Sequence, residues 1–238
     1  MISFVIPAHN EEALLPATLR ALDAAARPLG HPFEIIVVND ASTDRTSQFA
    51  QAHGARVIDV QNRQIAASRN AGAHGARGDI LIFIDADTRV NEAVVRGAVD
   101  AIAQGAVGGG CAFRFDGRLP LYGRILQAVA VPVYRMARLA SGCFLFTTRG
   151  AFDAVGGFDE GMFGAEEAAM SRGLRRQGRF VVLREAVTTS GRKLRAYSAA
   201  QVLGTMARLA LSGGRSIRRR QGLDIWYGER RPDPESKP

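Results

Sequence analysis

Aromatic rings are scarce in this chain: 7% of its 238 residues, with a single tryptophan. A core short of rings should be aliphatic, and 26 glycines imply many turns. Cysteine is nearly missing too. Cys111 and Cys143 stand alone, in no C-x-x-C or finger spacing, which argues against zinc. They read as two buried thiols of a reducing compartment. No basic and then apolar leader occurs at Met1-Ile2-Ser3-Phe4, so no signal peptide is expected. The longest apolar stretch, Leu119 to Phe146, is broken by Arg124, Arg135 and Arg138, so no membrane span is expected either. The location these absences imply is the cytoplasm, up to the inner face of its membrane.

Positive charge is plentiful. A formal net charge of +8 calls for an anionic partner: a nucleotide, a phosphorylated substrate, nucleic acid or an anionic membrane. Nucleic acid is disfavoured, because the basic run Arg215 to Arg220 has no aromatic platform or helix-turn-helix pattern beside it. An apolar share of 47% and a charged share of 23% fit an ordinary globular chain.

Strands and helices alternate through the first third. Ile2 to Ile6, Glu34 to Val38, Ala55 to Val60 and Leu81 to Ile84 read as strands. Glu11 to Ala26, Arg45 to Ala52 and Ile65 to Ala76 read as helices between them. That order predicts a mostly parallel sheet with ligands beyond its carboxyl ends. Further on, helices are expected over Asn91 to Gln104, Glu166 to Gln177 and Gln201 to Leu211. Strands are expected at Cys111 to Phe115, Cys143 to Thr148 and Phe180 to Leu183, with Gly108-Gly109-Gly110 leading into the first of these. Arg230 to Pro238 reads as a frayed tail.

The fourth strand ends in Asp85-Ala86-Asp87. Two carboxylates about 5 Å apart repel by roughly 3 kcal/mol at an effective dielectric near 20. A divalent ion with oxygen ligands is one remedy; the other use of such acids is to cap the following helix.

Several stretches together resemble the family 2 inverting glycosyltransferases. They are Val5-Ile6-Pro7-Ala8-His9-Asn10-Glu11, "EIIVVNDASTDRT" from Glu34 to Thr46, Ser68-Arg69-Asn70-Ala71-Gly72, Asp85-Ala86-Asp87-Thr88, Gly156-Gly157-Phe158-Asp159-Glu160, and Glu166-Glu167. The resemblance spans about residues 2 to 185 and implies a GT-A fold, an αβα sandwich in a single α/β domain. It implies a domain over 1–222, with a nucleotide-sugar half at 1–90, an acceptor half at 91–195, a basic amphipathic helical segment at 196–222, and a tail at 223–238.

The resemblance also implies a reaction and a set of sites. A sugar moves from a nucleotide-diphosphate sugar, a UDP-sugar favoured, to an acceptor hydroxyl or lipid phosphate. Asp87 and Asp85 hold Mn²⁺ or Mg²⁺. Pro7, Ala8 and His9 line the nucleotide pocket, with Glu11, Asp40, Ser42 and Ala86. Arg69 sits by the diphosphate or holds Asp85. Glu167 takes the acceptor proton, with Glu166 as competitor; the family has Asp where Glu167 stands. Arg192, in the basic stretch Thr188 to Arg195, either clamps the diphosphate or belongs to a solvated loop.

Leu119 to Leu139 and Gln201 to Arg220 pair apolar faces with arginines, so a peripheral membrane contact, a homodimer face and simple core packing all stay open, as does a lipid-linked acceptor. Trp226-Tyr227 either stacks on a sugar or packs the tail. The rival functions are a nucleotidyltransferase, disfavoured by the lack of a glycine-rich loop after the first strand, and a degenerate scaffold that binds nucleotide sugar without turnover.

Overall fold

Alternation in the central strands decides the architecture. In β1 (Ile2–Ala8), Phe4 and Ile6 enter one apolar cluster and Val5 the other. In β2 (Phe33–Asp40), Ile35 and Val37 oppose Ile36 and Val38; in β4 (Ile80–Ile84), Ile82 and Ile84 oppose Leu81 and Phe83. Both faces are apolar, so both need a covering layer. The computed structural model, which describes residues 1–211, 216–228, 231 and 233–235, has that arrangement.

One sheet runs β3-β2-β1-β4-β7-β6-β8-β5. Its remaining strands are β3 (Arg56–Val60), β5 (Thr88–Arg89), β6 (Ala106–Phe115), β7 (Phe144–Thr148) and β8 (Arg179–Thr189). Only β7 and β5 oppose their neighbours. Helices α1 (Leu15–Ala26), α2 (Thr46–Ala52) and α4 (Glu92–Ala103) cover one face. Helices α3 (Ile65–Gly75), α6 (Arg149–Val155) and α7 (Glu166–Gln177) cover the other. Helix α5 (Leu121–Ala137) lies against β6. Helices α8 (Arg192–Ala196), α9 (Ala199–Leu211) and α10 (Asp224–Tyr227) follow the last strand. Among the described residues no helix is long and apolar enough to cross a membrane.

The core is not purely aliphatic. Phe4, Phe83, Phe144, Phe146 and Phe152 are among its largest fully buried side chains. Rings are few, but most of them are phenylalanines, which carry no polar group to satisfy and go inside. Pro7 does not end β1: its missing N–H falls where β4 no longer pairs, because that ladder stops at Val5–Phe83 while β2 continues to Ala8–Asn39.

The three glycines lie within β6, not before it. A Cβ on Gly109 would stand 2.0 Å from the Val181 carbonyl oxygen and 2.4 Å from the Phe146 ring. A Cβ on Gly110 would meet Ala140 at 2.7 Å. Backbone and rings pack where side chains would be, so composition hid the strand. Strand β8 runs on to Thr189 and pairs there with the short β5. Arg215 of the basic run and residues 229–230, 232 and 236–238 of the expected tail fall outside the described residues. Asp233 and Glu235 are tied in, one accepting from Arg195 at 2.8 and 2.5 Å, the other from the Arg118 N–H at 2.9 Å.

Gly109→Ala should therefore destabilise by about 1–3 kcal/mol or more, read as a lower denaturant midpoint at unchanged slope. Gly150→Ala, in α6 with nothing within 4 Å of its Cβ, should be neutral or gain up to about 1 kcal/mol.

Candidate active site

The carboxyl ends of β1, β2 and β4 share one rim, and a cleft of ≈ 370 Å³ opens there. Pro7, Ala8, His9, Glu11, Asp40, Arg69, Asp85, Ala86, Asp87, Glu166, Glu167 and Arg192 all line it. Ser42 does not. Its hydroxyl accepts the Asn10 N–H at 3.0 Å, beside Glu11 N–H to Thr46 Oγ1 at 2.8 Å and Thr43 N–H to Asn10 Oδ1 at 2.8 Å. These bonds staple the loop after β1 to the loop after β2.

Three consecutive residues of α3 organise the rim. Ser68 Oγ donates to Asp40 Oδ2 at 2.8 Å, and Asp40 also accepts the N–H groups of Arg63 and Gln64 at 2.7 and 3.0 Å. Asp40 thus ties down the turn that leads into α3, and three of its acceptor positions are filled. Asn70 accepts the Phe158 N–H at 2.8 Å and donates to Phe158 O and Glu160 Oε1, each at 2.9 Å. These three bonds seat the Gly-Gly-Phe-Asp-Glu loop. Between them, Arg69 donates from Nη1 to Glu166 at 3.0 Å and from Nη2 to Asp85 at 3.0 Å and Gly142 O at 2.8 Å. Its guanidinium is 3% exposed. Burial alone would weaken its hold on the proton, but Asp85, Glu166 and Glu167 outweigh that and hold it charged.

The two aspartates face different arginines. Asp85 faces Arg69, while Asp87 lies 3.1 Å from Arg192, which also donates to Glu11 at 2.5 Å. Thr18 Oγ1 pins the Ala86 carbonyl between them at 2.8 Å. Enclosure at the cleft floor raises the Asp85 pKa, Arg69 opposing and Asp87 adding to the rise. About a third of its side chain stays exposed in the cleft. Asp87 caps no helix; Asn91 does that for α4, accepting the Val94 N–H at 3.0 Å. Arg192 is 14% exposed, so it is no solvated loop residue.

Glu166 and Glu167 open α7 in its first turn, on a left-handed Ala165 at φ 57°. Only Glu166 receives a direct bond from Arg69. Burial, then the Glu166 charge, pushes the Glu167 carboxyl up to about 8. The Arg69 charge opposes that rise without a direct bond to Glu167. Tyr134 of α5 lies at the same wall, its hydroxyl pushed up by burial first and by Glu167 next. Burial pushes the nearby Cys143 thiol up to about 12, which leaves it a neutral thiol.

Several lining residues were not singled out from the sequence. Arg63 Nη1 reaches His9 Nε2 at 2.6 Å while His9 Nδ1 meets Asp40 O at 2.7 Å; those partners place the ring proton on Nδ1. Lys193, Met206, Arg220, Trp226 and Tyr227 form the far wall. Trp226 and Tyr227 both pack and line: the Tyr227 ring meets Phe163 at 5.7 Å, Arg220 lies 5.5 Å above it, and Lys193 lies 6.0 Å from the Trp226 ring. The Trp226-Tyr227 pair and the basic stretches that hold Lys193 and Arg220 are what the sequence offers for this wall.

Among the described residues no three His, Cys, Asp or Glu side chains converge into a metal cage. Asp85 and Asp87 offer hard oxygen donors at the rim of an open cleft. That donor set fits Mn²⁺ or Mg²⁺ when substrate phosphates complete the coordination.

Comparison with known proteins agrees with this layout. The model of glycosyl transferase family 2 matches residues 3–158. An undecaprenyl-phosphate 4-deoxy-4-formamido-L-arabinose transferase of Pseudomonas paraeruginosa is 40% identical over 112 residues, 44% of this chain and 33% of that protein. The match therefore spans about a third of that relative's length. The mannosyltransferase PcManGT from Pyrobaculum calidifontis, in complex with GDP-Man and Mn²⁺, superposes with a TM-score of 0.70 at 18% identity, over 92% of this chain and 65% of that one. S. aureus TarS 1-349 in complex with UDP-GlcNAc gives 0.65 at 19% identity, over 87% and 64%. At such identities the likeness establishes the fold alone, the GT-A sandwich. With the family match extending over more than half of its length, the chain belongs to glycosyl transferase family 2.

Proposed function

We propose that this glycosyltransferase takes its sugar from a nucleoside diphosphate sugar, a UDP-sugar favoured, and passes it with inversion to an acceptor. The observation that carries this is the division of charge in the cleft. Asp85, Asp87 and Glu11 each face an arginine at the rim where ligands of such sheets bind, while Glu167, to which Arg69 makes no direct bond, stands beside Glu166 at the wall. Pro7, Ala8 and His9 form the nucleotide side, with Arg63 against His9. Asp85 and Asp87 would hold Mn²⁺ or Mg²⁺, which when bound supplies positive charge to the departing diphosphate. Arg192 and Lys193 add fixed positive charge on the opposite wall. Asp40, filled by Ser68 of α3 and by the N–H groups of Arg63 and Gln64 before it, acts by holding the rim in shape.

The acceptor decides the task of Glu167. A hydroxyl must lose its proton, and a carboxyl whose pKa is raised toward 8 is a competent base near neutral pH. A lipid phosphate, the acceptor in the name of the Pseudomonas relative, is already anionic near neutral pH, its second pKa being about 6. There Glu167 would keep its proton and donate a hydrogen bond, with Lys193 and Arg220 countering the phosphate charge.

Glu167→Gln separates the two. With a hydroxyl acceptor, kcat should fall about 10²–10⁴-fold while nucleotide affinity stays. With a phosphate acceptor, the amide still donates and turnover should stay within about tenfold. Full activity of the variant on a hydroxyl acceptor would remove the base role.

Stability gives an independent reading. Folded Glu167 keeps its proton up to about 8, whereas its ordinary value is 4.5. The stability linked to it is complete below that lower value and is lost as pH rises through the interval. Wild type should therefore lose more stability between pH 6 and 9 than Glu167→Gln, in paired denaturant titrations.

For the donor site, calorimetric titration with UDP, GDP and dTDP should give tight binding of one nucleotide, abolished by chelator and by Asp87→Ala. Equal binding with and without metal would refute the two-aspartate metal site.

A further inference from the structure

Helix α5 carries two apolar faces, and only one is covered. Successive residues turn about 100°. Gly123, Gln127, Ala130, Val131 and Tyr134 therefore fall together, and they face inward: Ala130 and Val131 pack on the core, Gln127 Oε1 accepts the Phe115 N–H at 2.8 Å, and the Tyr134 ring meets Phe113 at 6.1 Å. Leu121, Ile125, Val129, Val133 and Met136 fall on the opposite side, and are 70%, 57%, 56%, 52% and 85% exposed. The apolar row runs the length of a 17-residue helix, about 25 Å. Arg124 and Arg135 lie along one flank, with Arg118 and Arg138 at the ends, all exposed.

We propose that this outer face of α5 docks onto an anionic lipid bilayer surface. Charge selects that occupant. No Asp or Glu occurs between Asp116 and Asp153, so a two-fold contact with a second copy through this face would bring arginine rows together with no acid of the helix itself to pair them. An anionic headgroup layer supplies the missing charge, and its acyl boundary takes an apolar row. The same helix delivers Tyr134 to the cleft wall beside Glu167, so docking through α5 sets the cleft close to the lipid surface. The docking claim stands apart from the transfer chemistry.

The test is flotation of the 238-residue chain with vesicles of phosphatidylcholine, with and without phosphatidylglycerol. The chain should float with the anionic vesicles and much less with the neutral ones. Ile125→Ser with Val129→Ser should lower the partition coefficient about tenfold or more at an unchanged melting temperature. Arg124→Gln with Arg135→Gln should narrow the gap between anionic and neutral vesicles. No flotation, flotation indifferent to the Ile125 and Val129 changes, or a vesicle-free dimer that those changes dissolve would each overturn the proposal. Flotation through α5 in a chain that transfers no sugar keeps the docking and removes the transfer reading; transfer to a water-soluble acceptor without flotation does the reverse.

Discussion

The buried guanidinium of Arg69 is the interaction on which the cleft depends. Its fork spans from α3 to the end of β4, to the loop before β7 and to the start of α7. A cation this enclosed is tolerated only because carboxylates surround it, and those carboxylates tolerate one another only because it is there. Neither side of the arrangement is stable alone. The Phe158 ring, 5.2 Å from the guanidinium carbon, closes the remaining face. That ring is fixed in turn by Asn70, the next residue of the same helix.

One fork with a limited reach also creates difference. Glu166 and Glu167 are chemically identical and adjacent, yet only the first receives a direct guanidinium bond. The second meets burial and its neighbour's charge instead. Two like acids in adjacent positions thus meet different surroundings, and the difference comes from helix geometry and not from residue type.

Much of this was legible before the structure, for a physical reason. Asp85-Ala86-Asp87 follows the most apolar strand, and two uncompensated acids in that place need a cation. Ser68-Arg69-Asn70 opens a helix facing the same rim. The alternating strands and helices of the first third announce a parallel sheet. Other features were hidden because their cause lies far off in sequence. Gly108 to Gly110 carries no apolar pattern, yet forms the middle of β6 because Phe146 and the β8 backbone occupy its side-chain space. Ser42 looks like a ligand contact and is a loop staple. The β5–β8 pairing involves two residues of β5, too short for any periodicity. The far wall of Lys193, Arg220, Trp226 and Tyr227 is assembled from segments with no shared motif.

Placing Ser68, Arg69 and Asn70 in succession has a cost in freedom. Their side chains fan around a single turn, so a shift of α3 by one residue would remove the cap on Asp40, the cation between the acids and the seat of the 158–160 loop in one stroke. No gradual path leads away from that arrangement. The far wall is different: its residues reach the cleft from α8, α9, α10 and the segment before α10, and not from one turn of one helix. The molecule is thus divided into a part that evolution can only keep or discard and a part it can tinker with. The far wall can vary one residue at a time, whereas the rim can change only as a whole.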